Sequence, residues 1–153
     1  MKVHVLKQQH VFPISLQKTW EFFSTPRNLN EITPADLGFT MTYSPSEKMI
    51  EGQIITYRIR IAPLIHVPWV TEIKSVKEPQ SFIDNQISGP YTLWHHLHHF
   101  EETPAGVLLT DLVNYAMPFG PLGSIAHAVF VRRKLKHIFS HRRHTLEKNF
   151  GKK

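Results

Sequence analysis

The chain contains no cysteine. That excludes disulfides, thiolate metal sites, iron–sulfur clusters and a cysteine nucleophile, and it gives no sign of an oxidising compartment. No apolar run approaches the roughly 18 residues of a membrane-spanning helix. The opening MKVHVLKQQH has a polar residue at every second or third position, so it reads as neither a signal peptide nor a transit peptide. A cytoplasmic location is the expectation. No phosphate loop, dinucleotide fingerprint or nucleophile motif is present, and no internal repeat or low-complexity tract. Acidic residues are nearly missing from the C-terminal end. Residues 120–153 hold nine Lys/Arg and one Glu, net +8, whereas residues 1–119 hold nine Lys/Arg and eleven Asp/Glu, net −2.

What is there suits one globular domain, residues 1–153. Hydrophobic residues make up 41% and charged residues 20%, which argues against disorder. The basic end could be a solvated helix face, or could make peripheral contact with anionic membrane. Nucleic acid is not expected. Between residues 125 and 149 this segment carries only Phe130 and Phe139 as aromatics, and no helix-turn-helix spacing appears.

The hydrophobic period changes along the chain. An extended segment runs from Val3 to Phe12. Ser15 reads as an N-cap, with Leu16, Trp20 and Phe23 at helical spacing, so the pattern predicts a helix over 16–24. Pro26 suits the first position of a second short helix near Arg27–Ile32. Then the period becomes 2. Phe39, Met41 and Tyr43 alternate, as do Ile55, Tyr57, Ile59 and Ile61, and then Trp69, Thr71 and Ile73. Phe82, Asp84 and Gln86 follow, then Trp94, His96, His98 and Phe100, and last Val107, Leu109, Asp111, Val113 and Tyr115. Turns separate these sets, which predicts an antiparallel sheet of six or seven strands. The Pro/Gly run 118–123 ends it. With Ser124 as cap, a helix over 125–149 presents Ile125, Val129, Leu135, Ile138, Phe139 and Leu146 as an apolar stripe that Arg142 interrupts. That stripe must lie on the sheet. A curved sheet under a helix leaves gaps of the kind that hold apolar ligands.

The order of elements resembles that of the helix-grip superfamily, which holds the START lipid-transfer domains, the birch-pollen-allergen-like proteins and the polyketide cyclases/dehydrases. Several segments carry the likeness: Trp69-Val70-Thr71-Glu72-Ile73, Phe82-Ile83-Asp84-Asn85-Gln86 with Gly89-Pro90-Tyr91, and Trp94-His95-His96-Leu97-His98-His99-Phe100. Thr110-Asp111 through Tyr115, the run 118–123, and Ile138-Phe139 with Arg142 continue it. The chain looks most like bacterial single-domain members of the cyclase/dehydrase and lipid-transport (SRPBCC) branch. The resemblance implies an α+β fold, a curved antiparallel sheet wrapped around a long C-terminal helix, with two short helices after the first strand. It also implies a cavity under that helix for a hydrophobic, lipid-like or polyketide-like molecule, in which some members do chemistry.

Eleven histidines are present, four of them in His95–His99. Strand alternation sends His96 and His98 inward with Trp94 and Phe100. A His-x-His pair could chelate an ion with Asp111 as third ligand, but without Cys or a His-Glu-x-x-His motif neither a metal nor any other cofactor is expected. His96 or His98 on Asp111 could also form a general base for a cyclase or dehydratase, or simply a satisfied polar cluster. Asp84, if inward, needs a partner such as Arg58, Arg60 or Arg142. The expected ligand-binding residues are Trp20, Phe23, Tyr57, Trp69, Trp94, His96, His98, Asp111, Tyr115 and Leu135. The candidate catalytic residues among them are His96, His98 and Asp111.

Overall fold

A computed structural model describes residues 1–152. It opens with β1 (Val3–Phe12). Ser15 stands outside the helix in extended backbone, and its hydroxyl accepts from the Lys18 N–H, which starts α1 (Leu16–Phe23). Pro26 then begins a 3-10 turn over Pro26–Asn30, shorter than the sequence pattern predicts, and a further 3-10 turn spans Ala35–Leu37. Six strands follow: β2 (Thr40–Tyr43), β3 (Ile54–Ala62), β4 (Ile65–Lys77), β5 (Ser81–Ser88), β6 (Leu93–Thr103) and β7 (Gly106–Ala116). They form one seven-stranded antiparallel sheet in the order β1-β7-β6-β5-β4-β3-β2, so the first strand returns beside the last. Gly106 is required at the start of β7. A Cβ there would sit 2.0 Å from the Phe12 carbonyl oxygen.

A long helix succeeds the sheet in three consecutive parts: α2 (Gly120–Ala126), a π turn (His127–Val131) and α3 (Arg132–Phe150). It starts earlier than Ser124, the expected cap. Phe119 takes a left-handed conformation (φ 66°) that breaks the chain direction, and Pro121 falls at a position where its missing N–H costs nothing. Ser124 lies within the helix, one turn past Gly120, and donates its hydroxyl to the Gly120 carbonyl. Gly123 lets that turn pack against the preceding loop, because a Cβ would meet the Pro118 carbonyl oxygen at 1.9 Å.

Leu135, Phe139, Arg142 and Leu146 are the buried face of α3, at spacings of four, three and four. Ile125 and Val129, expected on the same stripe, are exposed instead. The π turn accounts for this: one additional residue in a turn rotates α2 by about 100° relative to α3. His127 turns inward in their place. Its ring stacks on His4 at 3.6 Å and its Nε2 lies 2.9 Å from the Tyr115 hydroxyl.

The core divides in two. Trp20 and Phe23 of α1 pack with Phe82, Phe100 and Leu109 of the sheet and with Leu146. Trp94, Val113 and Tyr115 pack with Leu135 and Phe139. Each large side chain fully removed from water contributes about 1.5–3 kcal/mol, so these contacts fix the helix on the sheet.

Candidate functional site

The two cores do not meet everywhere. Between them lies a chamber of about 590 Å³. Its sheet wall includes Tyr57, Ile59, Trp69 and Trp94, with Phe39 just before β2 stacked on Tyr57, and its helix wall includes Leu122, Phe130, Leu135 and Phe139. Tyr91 closes one side, its ring 5.7 Å from Trp69 and 4.9 Å from Trp94. Asp84, His96 and Arg142 form the polar floor. The same three residues also face a void of about 40 Å³ on their other side, lined by Phe22, Phe23, Asn28, Met49, Phe82 and His98 among others.

The register of the strands assembles that floor. Asp84 pairs with His96 across β5 and β6, and His98 pairs with Asp111 across β6 and β7. All four side chains stand on the inner face because their positions share one parity. His96 donates from Nε2 to Asp111 Oδ1 at 2.8 Å. Arg142 reaches down from α3 and donates from Nη2 to the same oxygen at 3.0 Å. His98 Nδ1 lies 3.1 Å from that oxygen and 3.2 Å from Arg142 Nη2, so one neutral tautomer donates to the carboxylate and the other accepts from the guanidinium. The guanidinium also stands over the rings of Phe23 (5.1 Å) and Phe139 (5.9 Å). Asp84 accepts a hydrogen bond from the Thr71 hydroxyl.

Charge is distributed unevenly over these groups. Burial alone would raise the Asp111 carboxyl, but the Arg142 guanidinium and the bonds from His96 and His98 outweigh it and hold Asp111 well below the usual carboxylate range. Burial, with the neighbouring His96, lowers His98 to about 3, so its ring is neutral near pH 7. Asp84 is raised by burial, which Thr71, His96 and Arg142 offset only in part. Burial likewise raises the phenols of Tyr57 and Tyr91, which remain protonated donors. Two lining residues carry a buried donor without a partner among the described residues: Trp94 at Nε1 and Arg142 at Nε.

Asp84, His96 and His98 offer donor atoms within 4.8 Å of one another, the spacing a metal ion could use. Arg142 opposes that use. It is a fixed cation 3.2 Å from His98, and His96 is committed to Asp111.

Of the residues expected to bind ligand, Tyr57, Trp69, Trp94, His96 and Leu135 line the chamber. Phe23 and His98 line the smaller void. Trp20 lies in the core, edge-on to Phe82 and Phe100. Asp111 lies behind the floor, where it anchors His96 and Arg142. Tyr115 turns its hydroxyl to His127 rather than into the chamber. Arg142, a candidate partner for Asp84, pairs with Asp111 instead. Sequence reasoning missed the segment from Met117 to Gly123 as a wall. Its Pro/Gly content signals a turn, and nothing in that signal tells a chamber rim from an ordinary connection.

No family model matches the sequence, and no curated protein matches it. Solved structures do resemble the fold. Protein Ms6760 from Mycobacterium smegmatis superposes with a TM-score of 0.65 at 16% identity, over 97% of this chain and 95% of that one. Ginseng major latex-like protein 151 from Panax ginseng gives 0.69 at 15% identity, over 97% of each chain. The di-domain ARO/CYC StfQ from the steffimycin biosynthetic pathway gives 0.71 at 13% identity, over 97% of this chain and 50% of that one. A seven-stranded antiparallel sheet wrapped around a long C-terminal helix, together with the fold likeness to these structures, makes this chain a helix-grip fold.

Proposed function

We propose that the protein is a binding or carrier protein for one apolar small molecule, lipid-like or polyketide-like, that bears an acceptor oxygen. The chamber carries this reading. Its volume of about 590 Å³ falls in the usual range for small-molecule sites, roughly 300–1,000 Å³. Its walls are aromatic and aliphatic, and its polar groups are few and mostly donors. Trp94 Nε1–H and Arg142 Nε–H are buried without partners among the described residues, and an unpaired buried donor costs about 1–3 kcal/mol. A carbonyl, ether or carboxylate oxygen on the ligand would remove that cost. The fold likeness to a major latex-like protein and to an ARO/CYC supports a ligand-holding interior.

Fluorescence titration with a carbonyl-bearing naphthalene dye and with naphthalene itself tests this. The ketone should bind with one-to-one stoichiometry and quench tryptophan emission, because Trp69 and Trp94 both face the chamber. Trp94→Phe should weaken the ketone about tenfold and leave naphthalene unchanged, as expected for one lost hydrogen bond. Equal loss for both would remove the hydrogen-bonding part of the proposal.

A second reading has one observation behind it. His96 faces the chamber with its other nitrogen fixed on Asp111 at 2.8 Å, the arrangement of an oriented general base. Arg142 on the same carboxylate oxygen already balances the charge that would stabilise an imidazolium, which favours binding over proton abstraction. His96→Ala separates the two. A binding protein keeps dye affinity with modest loss, whereas a cyclase or dehydratase loses about 10²–10⁴ in turnover.

A further inference from the structure

The mouth of the chamber lies between two segments, and both expose large apolar side chains. On the helix side, Phe119, Leu122 and Phe130 line the chamber yet are 81%, 72% and 70% exposed, and Ile125 and Val129 extend the exposed stripe along the outer face. On the sheet side, Ile59 and Ile61 of β3 line the chamber, and the chain then turns through Ala62-Pro63-Leu64-Ile65. Leu64 holds a left-handed backbone (φ 62°) at that tip and is 96% exposed, and Ile61 and Ile65 beside it are also exposed. The segments are adjacent: Lys134 of α3 donates from Nζ to the Arg60 carbonyl at 3.3 Å. An apolar rim of this kind around a cavity mouth marks an interaction surface.

The charge beside the rim says which one. Arg132, Arg133 and Lys136 are exposed on the turns just past the apolar stripe, and Arg58 and Arg60 flank the hairpin tip. Neither segment supplies an acidic residue, since 52–71 and 112–146 contain no Asp or Glu. One carboxylate, that of Asp36 in the 3-10 turn, stands beside the collar, 3.6 Å from His137, and the Asp36 carbonyl accepts from Arg60, so five cations face a single acid. A second copy seated on the rim would set two basic helices against each other. Aliphatic and aromatic tips beside a collar of cations instead complement an anionic bilayer surface, where apolar side chains enter the acyl boundary and Lys/Arg meet phosphate.

We infer that the rim formed by Leu64, Phe119, Leu122, Ile125 and Phe130, with its Arg132/Arg133/Lys136 collar, docks the chamber mouth on an anionic lipid surface. The surface stands without the ligand reading, and only its use as a loading or delivery face rests on that reading.

Co-sedimentation of the full chain with phosphatidylcholine vesicles, with and without phosphatidylglycerol, is the test. Binding should require phosphatidylglycerol and weaken with salt. Leu64→Ser with Ile125→Ser should weaken it about tenfold or more, because both side chains leave the apolar boundary. Arg132→Glu with Arg133→Glu should weaken it by a similar factor. Leu64 and Ile125 do not line the chamber, so the serine pair should keep full dye uptake in solution, which separates this proposal from the ligand reading. Three results would overturn it: no binding to phosphatidylglycerol vesicles, binding indifferent to the serine pair, or a concentration-dependent dimer in sedimentation velocity that the serine pair dissolves.

Discussion

Arg142 on the last helix and Asp111 on the last strand meet at 3.0 Å, and both are buried. This pair ties the lid of the chamber to its floor. It does so where the helix's apolar face is interrupted, between Phe139 and Leu146.

Breaking that pair should unfold the lid. Asp111→Asn leaves a buried guanidinium without its counter-charge, and Arg142→Met leaves a buried carboxylate. Each should cost about 3–5 kcal/mol, because an uncompensated buried charge is worse than a neutral replacement. The double variant should recover most of that loss. Urea unfolding of the three variants checks it, and additive losses would mean that the two residues act independently.

The His98 contribution to stability should fall as pH drops from about 6.5 toward 3. His98 titrates near 3 in the fold, from an ordinary value of 6.5, so over this window the unfolded chain binds a proton that the folded chain does not. The loss approaches about 1.4 kcal/mol per pH unit for that one proton. Asp111, depressed in the fold, adds to the loss only below the ordinary carboxylate range, as pH falls further. Asp84 acts in the opposite sense: raised in the fold, it holds a proton that the unfolded carboxylate releases, so its contribution is greatest at low pH and declines as pH rises. His98→Asn should flatten the stability profile between about pH 6 and pH 4, measured by thermal melts across that range. An unchanged slope would contradict the assignment.

Tyr115 should matter for stability and not for ligand. Its hydroxyl meets His127 at 2.9 Å, at the π turn. Tyr115→Phe should cost about 1 kcal/mol in urea unfolding, the net worth of one hydrogen bond, with dye affinity unchanged. A large fall in dye affinity would place the phenol in the chamber after all.

The hydrophobic periods set how much of the fold and the site is legible in the sequence. On β6 and β7 the period is 2 and the alternation unbroken, so Trp94, His96, His98, Asp111 and Tyr115 can be placed on the inner face from sequence alone. Parity cannot say how far along the strand the cavity extends. His96 and Trp94 therefore reach the chamber, whereas Asp111 stops behind the floor and Tyr115 turns to His127. On the helix the periodic pattern holds through α3 and fails upstream of it, because the π turn leaves no Pro or Gly signature and rotates Ile125 and Val129 outward. The partner of Arg142 is also beyond reach, since Asp84 and Asp111 share the inner face and only the helix's placement chooses between them.

The chamber can be filled on purpose. Ala126 lines it from the first helical turns and is only partly buried. Ala126→Trp should place an indole in the opening without disturbing the core, so thermal stability should stay within about 0.5 kcal/mol, the usual scale for a substitution away from packed features. Native mass spectrometry of freshly purified protein, wild type beside Ala126→Trp, tests the central claim most directly. The wild type should carry an added mass that disappears on denaturation and extracts as an oxygen-bearing apolar molecule, or should take up the ketone dye one-to-one, and the tryptophan variant should do neither. A wild type that flies bare and takes up no dye, or a variant that loads as well as the wild type, would contradict a ligand chamber under the helix.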